Sequence, residues 1–306
     1  MKRLLLFLMF SSVICLAHAQ SVTHYVKLGA TGDGSGLSWA NASTDLQSTI
    51  SNANSGDSVF VAGGLYLAPL NGSFSMKNGV KIYGSFRGTE ASLSERTMSA
   101  GDTSILKGNG SSVIQNNSNG LDTSAVLDGF KITGGSSNLG GGIYNNYSSP
   151  IFANLMISGN TANGEFGGGM NNYMSSPILT NVIISGNNAG FGGGMIINAS
   201  SPILKNVLIC GNTATYGGGG MEILESPLTF TNVTISGNSA AYGGGIYHVG
   251  TSLVLNNSII WGNKGNNDGN EMYIGIPLSS PSSITLNYSL LRNRIGQNDI
   301  FNEAGT

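Results

Sequence analysis

Between residues 139 and 263 the apolar positions come in short runs that return at nearly constant intervals. In the stretch 176–197, Ile178-Leu179 and Val182-Ile183-Ile184 flank Asn181, and Met195-Ile196-Ile197 follows three glycines. These runs are rich in β-branched residues and bounded by Gly, Asn, Ser or Pro, which predicts strands too brief to be helices. The residues two before each anchor Asn are Phe152, Leu179, Leu204, Phe230 and Leu255; three after it stand Ile157, Ile184, Ile209, Ile235 and Ile260. Both sets are expected to face inward. Ala153, Thr180, Lys205, Thr231 and Asn256 fall between them at the alternate phase of a half-buried strand and face outward. A second outward column, Met156, Ile183, Leu208, Thr234 and Ile259, is apolar and would form a stripe on the surface.

The repeat is visible without any alignment. Gly-Gly-Gly-Ile/Met recurs at Ile143, Met170, Met195, Met221 and Ile246, in steps of 27, 25, 26 and 25 residues. Ser-Pro follows at Pro150, Pro177, Pro202 and, with a shorter approach, Pro227. The anchors Asn154, Asn181, Asn206, Asn232 and Asn257 come next, and Asn160, Asn187, Asn212, Asn238 and Asn263 close the units. A fixed period of this length means a stacked architecture, in which one unit cannot bury its own apolar face. Three short strands per turn, stacked in register, predict an all-β parallel β-helix with turns roughly 4.8 Å apart. The anchor Asn column is expected to form an internal amide ladder, because apolar columns stand on either side; the competing reading is outward amides that bind sugar. The glycine triplets are expected to be tight corners beside a column of Leu139, Phe166, Phe191, Tyr216 and Tyr242. They lack the following helix and Lys-Ser/Thr of a phosphate loop.

The pairing of Gly-Gly-x-Ile with Ile-x-x-Asn resembles the repeat of chlamydial polymorphic outer membrane proteins. Gly here replaces that family's Ala, and Ile157, Ile184, Ile209 and Ile235 replace its Phe. The wider chain is similar to secreted β-helix proteins of the Bacteroidetes type with a pectate-lyase-like fold. That resemblance implies a right-handed solenoid with a short N-terminal capping helix, and a surface or secreted setting.

Along the chain, residues 1–19 read as a secretory signal: Lys2 and Arg3, an apolar core, and Ala17-His18-Ala19 as the cleavage site. Residues 20–306 form one β-helix domain, divided into an N-terminal cap (20–64), irregular turns (65–138), five regular repeats (139–263), and decaying turns with a tail (264–306). In the cap a strand over 24–28 precedes a helix carrying Leu46, Ile50 and Ala53 on one face, with Ser43, Thr44 or Asp45 as its N-cap. Strands are further expected at 58–61, 80–83, 104–106, 113–114 and 126–132. The tail offers Arg292, Arg294, Asp299 and Glu303 among polar residues, too little for a strand or helix that closes the coil. Self-association through the C-terminal turns, or a partner bound there, is expected.

Charge is sparse: 13 Lys and Arg face 15 Asp and Glu in 306 residues, and two of the cations lie in the leader. With no basic patch, nucleic acid is excluded as a partner. Of the two cysteines Cys15 is in the leader, so Cys210 has no internal disulfide partner. It falls in the column of Ser158, Ser185 and Ser236, and neither His24 nor His248 makes a catalytic pattern with it. A lyase on this scaffold needs clustered Asp plus a cationic base, and a glycosidase needs paired carboxylates. Glu165, Glu222 and Glu225 do not recur one turn apart; Asp122 and Asp128 lie close together with no Arg or His near them in sequence. No catalytic, cofactor-binding or metal residue is therefore designated, and no cofactor is expected. The reading is a secreted or cell-surface module for structure, adhesion or recognition, with surface glycans or another envelope protein as partner. The alternative is a polysaccharide lyase or glycoside hydrolase.

Overall fold

The computed structural model describes residues 21–276, 281–292 and 299–303. The leader predicted at residues 1–19 lies outside them. The chain is a parallel β-solenoid of about nine turns. Its three sheets hold sixteen, eight and six strands among the described residues.

A single turn shows how the pattern becomes structure. The strand Ile178–Ser185 lies in the largest sheet, Asn188–Phe191 in the smallest, and Met195–Asn198 in the third. The next turn lays Ile203–Cys210, Thr213–Gly217 and Met221–Leu224 over them, all parallel, pairing Leu179 with Leu204, Ile184 with Ile209 and Met195 with Met221. Both inward columns are fully buried: Phe152, Leu179, Leu204, Phe230 and Leu255 are 0% exposed, and the Ile157 to Ile260 column is no more than 1% exposed. Met156, Ile183, Leu208, Thr234 and Ile259 form the expected outward column. Cys210 pairs in register with Ser185 and Ser236.

The glycine corners are as tight as anticipated. Gly192 takes φ +60°, and a Cβ on Gly193 would lie 2.4 Å from the Thr213 carbonyl oxygen. No side chain fits between turns there. The aromatic column stacks along this corner, with centroids 5.7 Å apart for Phe166–Phe191 and 5.0 Å for Phe191–Tyr216.

The anchor Asn column is a correction. These residues do form a ladder, with Asn181, Asn206 and Asn232 each donating from Nδ2 to the Oδ1 of the preceding turn at 3.0–3.2 Å. It runs along the outside, however. Each anchor sits at a left-handed bend (φ 49–56°), which puts two consecutive residues, such as Thr180 and Asn181, outward before Val182 turns in. The buried ladder is built by the closing column. Asn160, Asn187, Asn212 and Asn238 each donate to the Oδ1 of the following turn at 2.9–3.0 Å, and also to an inward carbonyl.

Both ladders end on a carboxylate held by an arginine. The outer one runs towards the N-terminus and finishes where Asn154 Nδ2 donates to Asp128 Oδ1 (3.0 Å), which Arg96 also contacts at 2.8 Å. The inner one runs the other way; Asn263 Nδ2 donates to Glu271 Oε2 (2.7 Å), and Arg292 lies 2.6 Å from Glu271 Oε1. An amide has both donor and acceptor, so a chain of them needs an acceptor-only group at its receiving end, and an ionised carboxylate is one. Arg96 therefore reaches Asp128 across the fold, braced by the rings of Tyr83 and Phe86, although nothing in the local sequence joins them.

The N-terminal helix spans Leu46–Asn52 with Asp45 as its cap, accepting from the Ser48 N–H at 2.9 Å. Leu46, Ile50 and Ala53 are buried against the first turns, covering the open end of the core. The first strand is Thr23–Val26, and the run expected over 126–132 is two strands, Val126–Asp128 and Phe130–Thr133, broken at Gly129. The tail also differs from expectation. Ile300–Asn302 adds a strand beside Met272–Ile274, and Arg292 packs over Trp261 while holding Glu271. Arg294 lies outside the described residues.

Candidate functional site

One sheet carries a groove on its outer face. In Met195–Asn198 and its neighbours, alternate residues point to the core, leaving Tyr144, Asn171, Ile196, Glu222, Tyr247, Tyr273 and Phe301 as a single outward column. This column is the floor. One wall is the aromatic corner of Phe166, Phe191, Tyr216 and Tyr242; the other is the next outward column, including Tyr173 and Asn198. A cavity of about 270 Å³ opens between them, lined by Leu139, Tyr144, Phe166, Asn171, Tyr173, Ile196 and Asn198. Its size falls just below the ~300–1,000 Å³ of typical ligand pockets. Beyond Glu222 the floor becomes a ring stack: Tyr247 and Tyr273 lie 5.0 Å apart and nearly parallel, and Phe301 continues it at 4.9 Å.

Within the five regular repeats the corner wall is also where the turns differ in length. Ser137 pairs with Ala162, but Leu139 pairs with Phe166, so two extra residues enter between them. In the next irregular turn Ala189 pairs with Ala214 and Phe191 with Gly217, so one extra residue enters and the Tyr216 ring meets Phe191 tilted by 31°. The same shift separates Ala240–Gly265 from Tyr242–Asp268. The Tyr247 ring lies against Gly217, where a Cβ would stand only 3.2 Å from it. Bulges that re-aim side chains beside an otherwise regular sheet are typical of sites.

Glu222 is the one acid in the floor column. It is 4% exposed, and its Oε2 has no hydrogen-bond partner. Burial pushes its carboxyl up to about 8, so it is predominantly protonated at neutral pH. Its neighbours on adjoining turns are Ile196 and Tyr247, neither an acid. The Tyr247 hydroxyl is itself raised above the ordinary tyrosine range by burial and by the nearby Glu303 and Glu222.

The acids singled out from sequence do not converge here. Asp122 is exposed in a turn, bonded to the Ser124 N–H and to Asn78, while Asp128 belongs to the outer ladder. Glu165 is exposed beside Phe166, Glu225 occupies a left-handed bend, and Glu90 is buried under N–H groups of its own loop. Glu95 caps Ala91. His24 pairs with Asp57 at 3.1 Å, whereas His248 lies inside the coil, so neither approaches a catalytic arrangement with Cys210, whose thiol burial pushes up. Among the described residues no group of three His, Cys, Asp or Glu could hold a metal. No described helix is long and apolar enough to cross a membrane.

A second cleft, about 490 Å³, follows the outer Asn ladder past Lys131, Asn154, Met156, Asn181 and Ile183. It is broad and lacks a buried polar group without a partner. No protein-family model, curated protein or solved structure matches the chain.

Proposed function

We propose that this solenoid is a secreted or bacterial cell-surface recognition module that binds glycans in the groove between the aromatic corner and the Tyr173–Asn198 wall. The observation that carries the proposal is the groove itself: rings on floor and walls at one-turn spacing, interleaved with the amides of Asn171 and Asn198. Sugar rings present apolar C–H faces that pack on aromatic side chains, and hydroxyls that pair with amides, which can both donate and accept. Within the five regular repeats length variation falls on this one wall, which supports a role in recognition, because core columns on the same turns are unaltered. The leader read at residues 1–19 supports export to an envelope or extracellular setting.

The test is a glycan array with the mature chain, followed by titration of the best ligand against Phe166→Ala and Tyr173→Ala. Each substitution removes a half-exposed ring at the cavity and is expected to weaken binding about tenfold, or ~1.4 kcal/mol. Unchanged affinity in both variants would sink the proposal. Reducing-end release or unsaturated product abolished by Glu222→Gln would instead make the groove an enzyme site.

A further inference from the structure

We infer that the outer edge of the strand Gly64–Leu67 takes an extended apolar segment of a partner protein, which adds one strand to the largest sheet at its N-terminal end. The site is separate from the groove and independent of the glycan reading.

The first turn of the coil is incomplete there. From Ser58 onwards each turn gives this sheet one segment before the bend and one after it: Ser58–Ala62 is followed by Gly64–Leu67, Lys81–Phe86 by Ser104–Lys107, and Val126–Asp128 by Phe130–Thr133. The first turn gives only Thr23–Val26, because the chain turns away at Gly29 (φ +72°). Thr23–Val26 lies beside Ser58–Ala62, whereas among the described residues Gly64–Leu67 has Ser104–Lys107 as its single neighbour. The N–H groups of Gly64 and Ala68 donate towards that neighbour, to the Thr103 and Lys107 carbonyls. Backbone groups alternate along a strand, so those of Leu65 and Leu67 point the other way, and no described residue pairs with them. An open cavity of about 480 Å³ runs along this edge, lined by Leu65, Tyr66 and Leu67 on one side and by Leu28, Leu46 and Phe74 among others on the rest. That volume is in the ~300–1,000 Å³ range of ligand pockets.

The lining sets the occupant's chemistry. Leu65 and Leu67 are 48% and 58% exposed, so the outward side chains of an added strand would lie beside two leucines. Its inward side chain would lie over Tyr66, facing Leu46 and Phe74. The lining contains no cation, and its one acid, Asp45, caps the helix by accepting from the Ser48 N–H, so the cavity favours a segment without charge at its centre. A second copy of this chain fits less well. Its C-terminal turn would arrive as a whole rung, and half of the receiving rung is already covered: the Tyr25 N–H donates to the Gly36 carbonyl, the Ser43 N–H donates to the Tyr25 carbonyl, and the helix Leu46–Asn52 lies over the core. A single extended segment needs only the open half. Main-chain bonds to Leu65 and Leu67 would supply affinity, and the apolar contacts would supply selectivity.

The experiment titrates the mature chain with a labelled, capped peptide that has Val-Ile-Val at its centre and a lysine at each end for solubility, read by fluorescence anisotropy and amide hydrogen exchange. The same peptide with three central serines, and one with its central amides N-methylated, are each expected to bind about tenfold more weakly. Saturating peptide is expected to slow exchange of the Leu65 and Leu67 amides about tenfold and to leave Tyr66, which faces Ser104–Lys107, unchanged. Leu65→Lys and Leu67→Lys alter exposed side chains, so circular dichroism should report an intact coil while each variant loses about tenfold in affinity. No binding, equal binding of the three peptides, wild-type affinity in both variants, or binding that leaves the two leucine amides unprotected overturns the inference. A dimer in sedimentation velocity that slows the same two amides without peptide also overturns it, and assigns the edge to a second copy.

Discussion

Replacing Asn212 by alanine should destabilise the coil far more than the same change at Asn206, although both are ladder asparagines one strand apart. Asn212 is 1% exposed. Its Oδ1 accepts from the Asn187 N–H and Nδ2, each at 3.0 Å, and its Nδ2 donates to the Ile184 carbonyl (3.0 Å) and to Asn238 Oδ1 (2.9 Å). Truncation leaves Asn238 Oδ1 with the Asn212 N–H and Asn187 Nδ2 with the Ile157 carbonyl, so these two keep a partner. The Asn187 N–H and the Ile184 carbonyl lose theirs to the side chain. At ~1–3 kcal/mol for each of these two buried groups, the loss should be about 2–6 kcal/mol. Asn206 is exposed, and water can replace its amide contacts. Its alanine variant mainly pays for holding a left-handed backbone (φ 54°) without Asn, about 1 kcal/mol, and Asn206→Gly should recover most of that. Urea midpoints by circular dichroism measure the effects. Hydrogen exchange across 203–217 localises them, since a solenoid need not unfold in one step. If Asn212→Ala melts within 0.5 kcal/mol of wild type, or no lower than Asn206→Ala, the assignment of the inner ladder is refuted.

Gly193→Ala should cost more than about 3 kcal/mol, because its Cβ would strike the carbonyls of Thr213 and Gly219 at 2.4 and 2.6 Å; Gly186→Ala, with open space at its Cβ and φ +61°, should cost only about 1 kcal/mol. Thermal melts of the two decide whether the corner is as close as described. Asp57 provides a pH test. Burial acts to raise its pKa, but hydrogen bonds from the Val22 and Asn54 N–H groups and from His24 outweigh this and leave it below the usual carboxylate range. Its contribution is thus complete above the unfolded value of ~3.9 and lost as pH falls through the lower folded value. Asp57→Asn should be less stable than wild type at pH 7, with the gap closing below about pH 4; a gap that persists there would contradict the linkage.

The inward columns were legible because five turns state each of them five times, and burial leaves little choice at Leu179 or Ile184. The facing of the anchor Asn was not. With Leu179 and Val182 both inward, strict alternation would place Asn181 inside; only a bend allows Thr180 and Asn181 to face out together. The left-handed tendency of Asn was the available hint, and it pointed to the bend rather than to the ladder. The groove floor escaped notice for the opposite reason: Tyr144, Asn171, Ile196, Glu222 and Tyr247 share a position but no chemistry, so the column has no periodic signature. It can be located from sequence only as the residue after each Ile or Met that closes a glycine triplet. The Arg96–Asp128 and Arg292–Glu271 pairs are products of stacking, and no local pattern announces them.

Because within the five regular repeats extra residues enter the coil at a single corner while the other two strands of each turn keep their register, that part of the chain is modular at the level of the gene. Duplicating or deleting one unit between equivalent glycine triplets would lengthen or shorten the rod by one rise of about 4.8 Å and pass the inner ladder on unbroken. Unequal recombination among near-identical repeats would therefore generate folded products, each with a groove of different length and a newly composed wall.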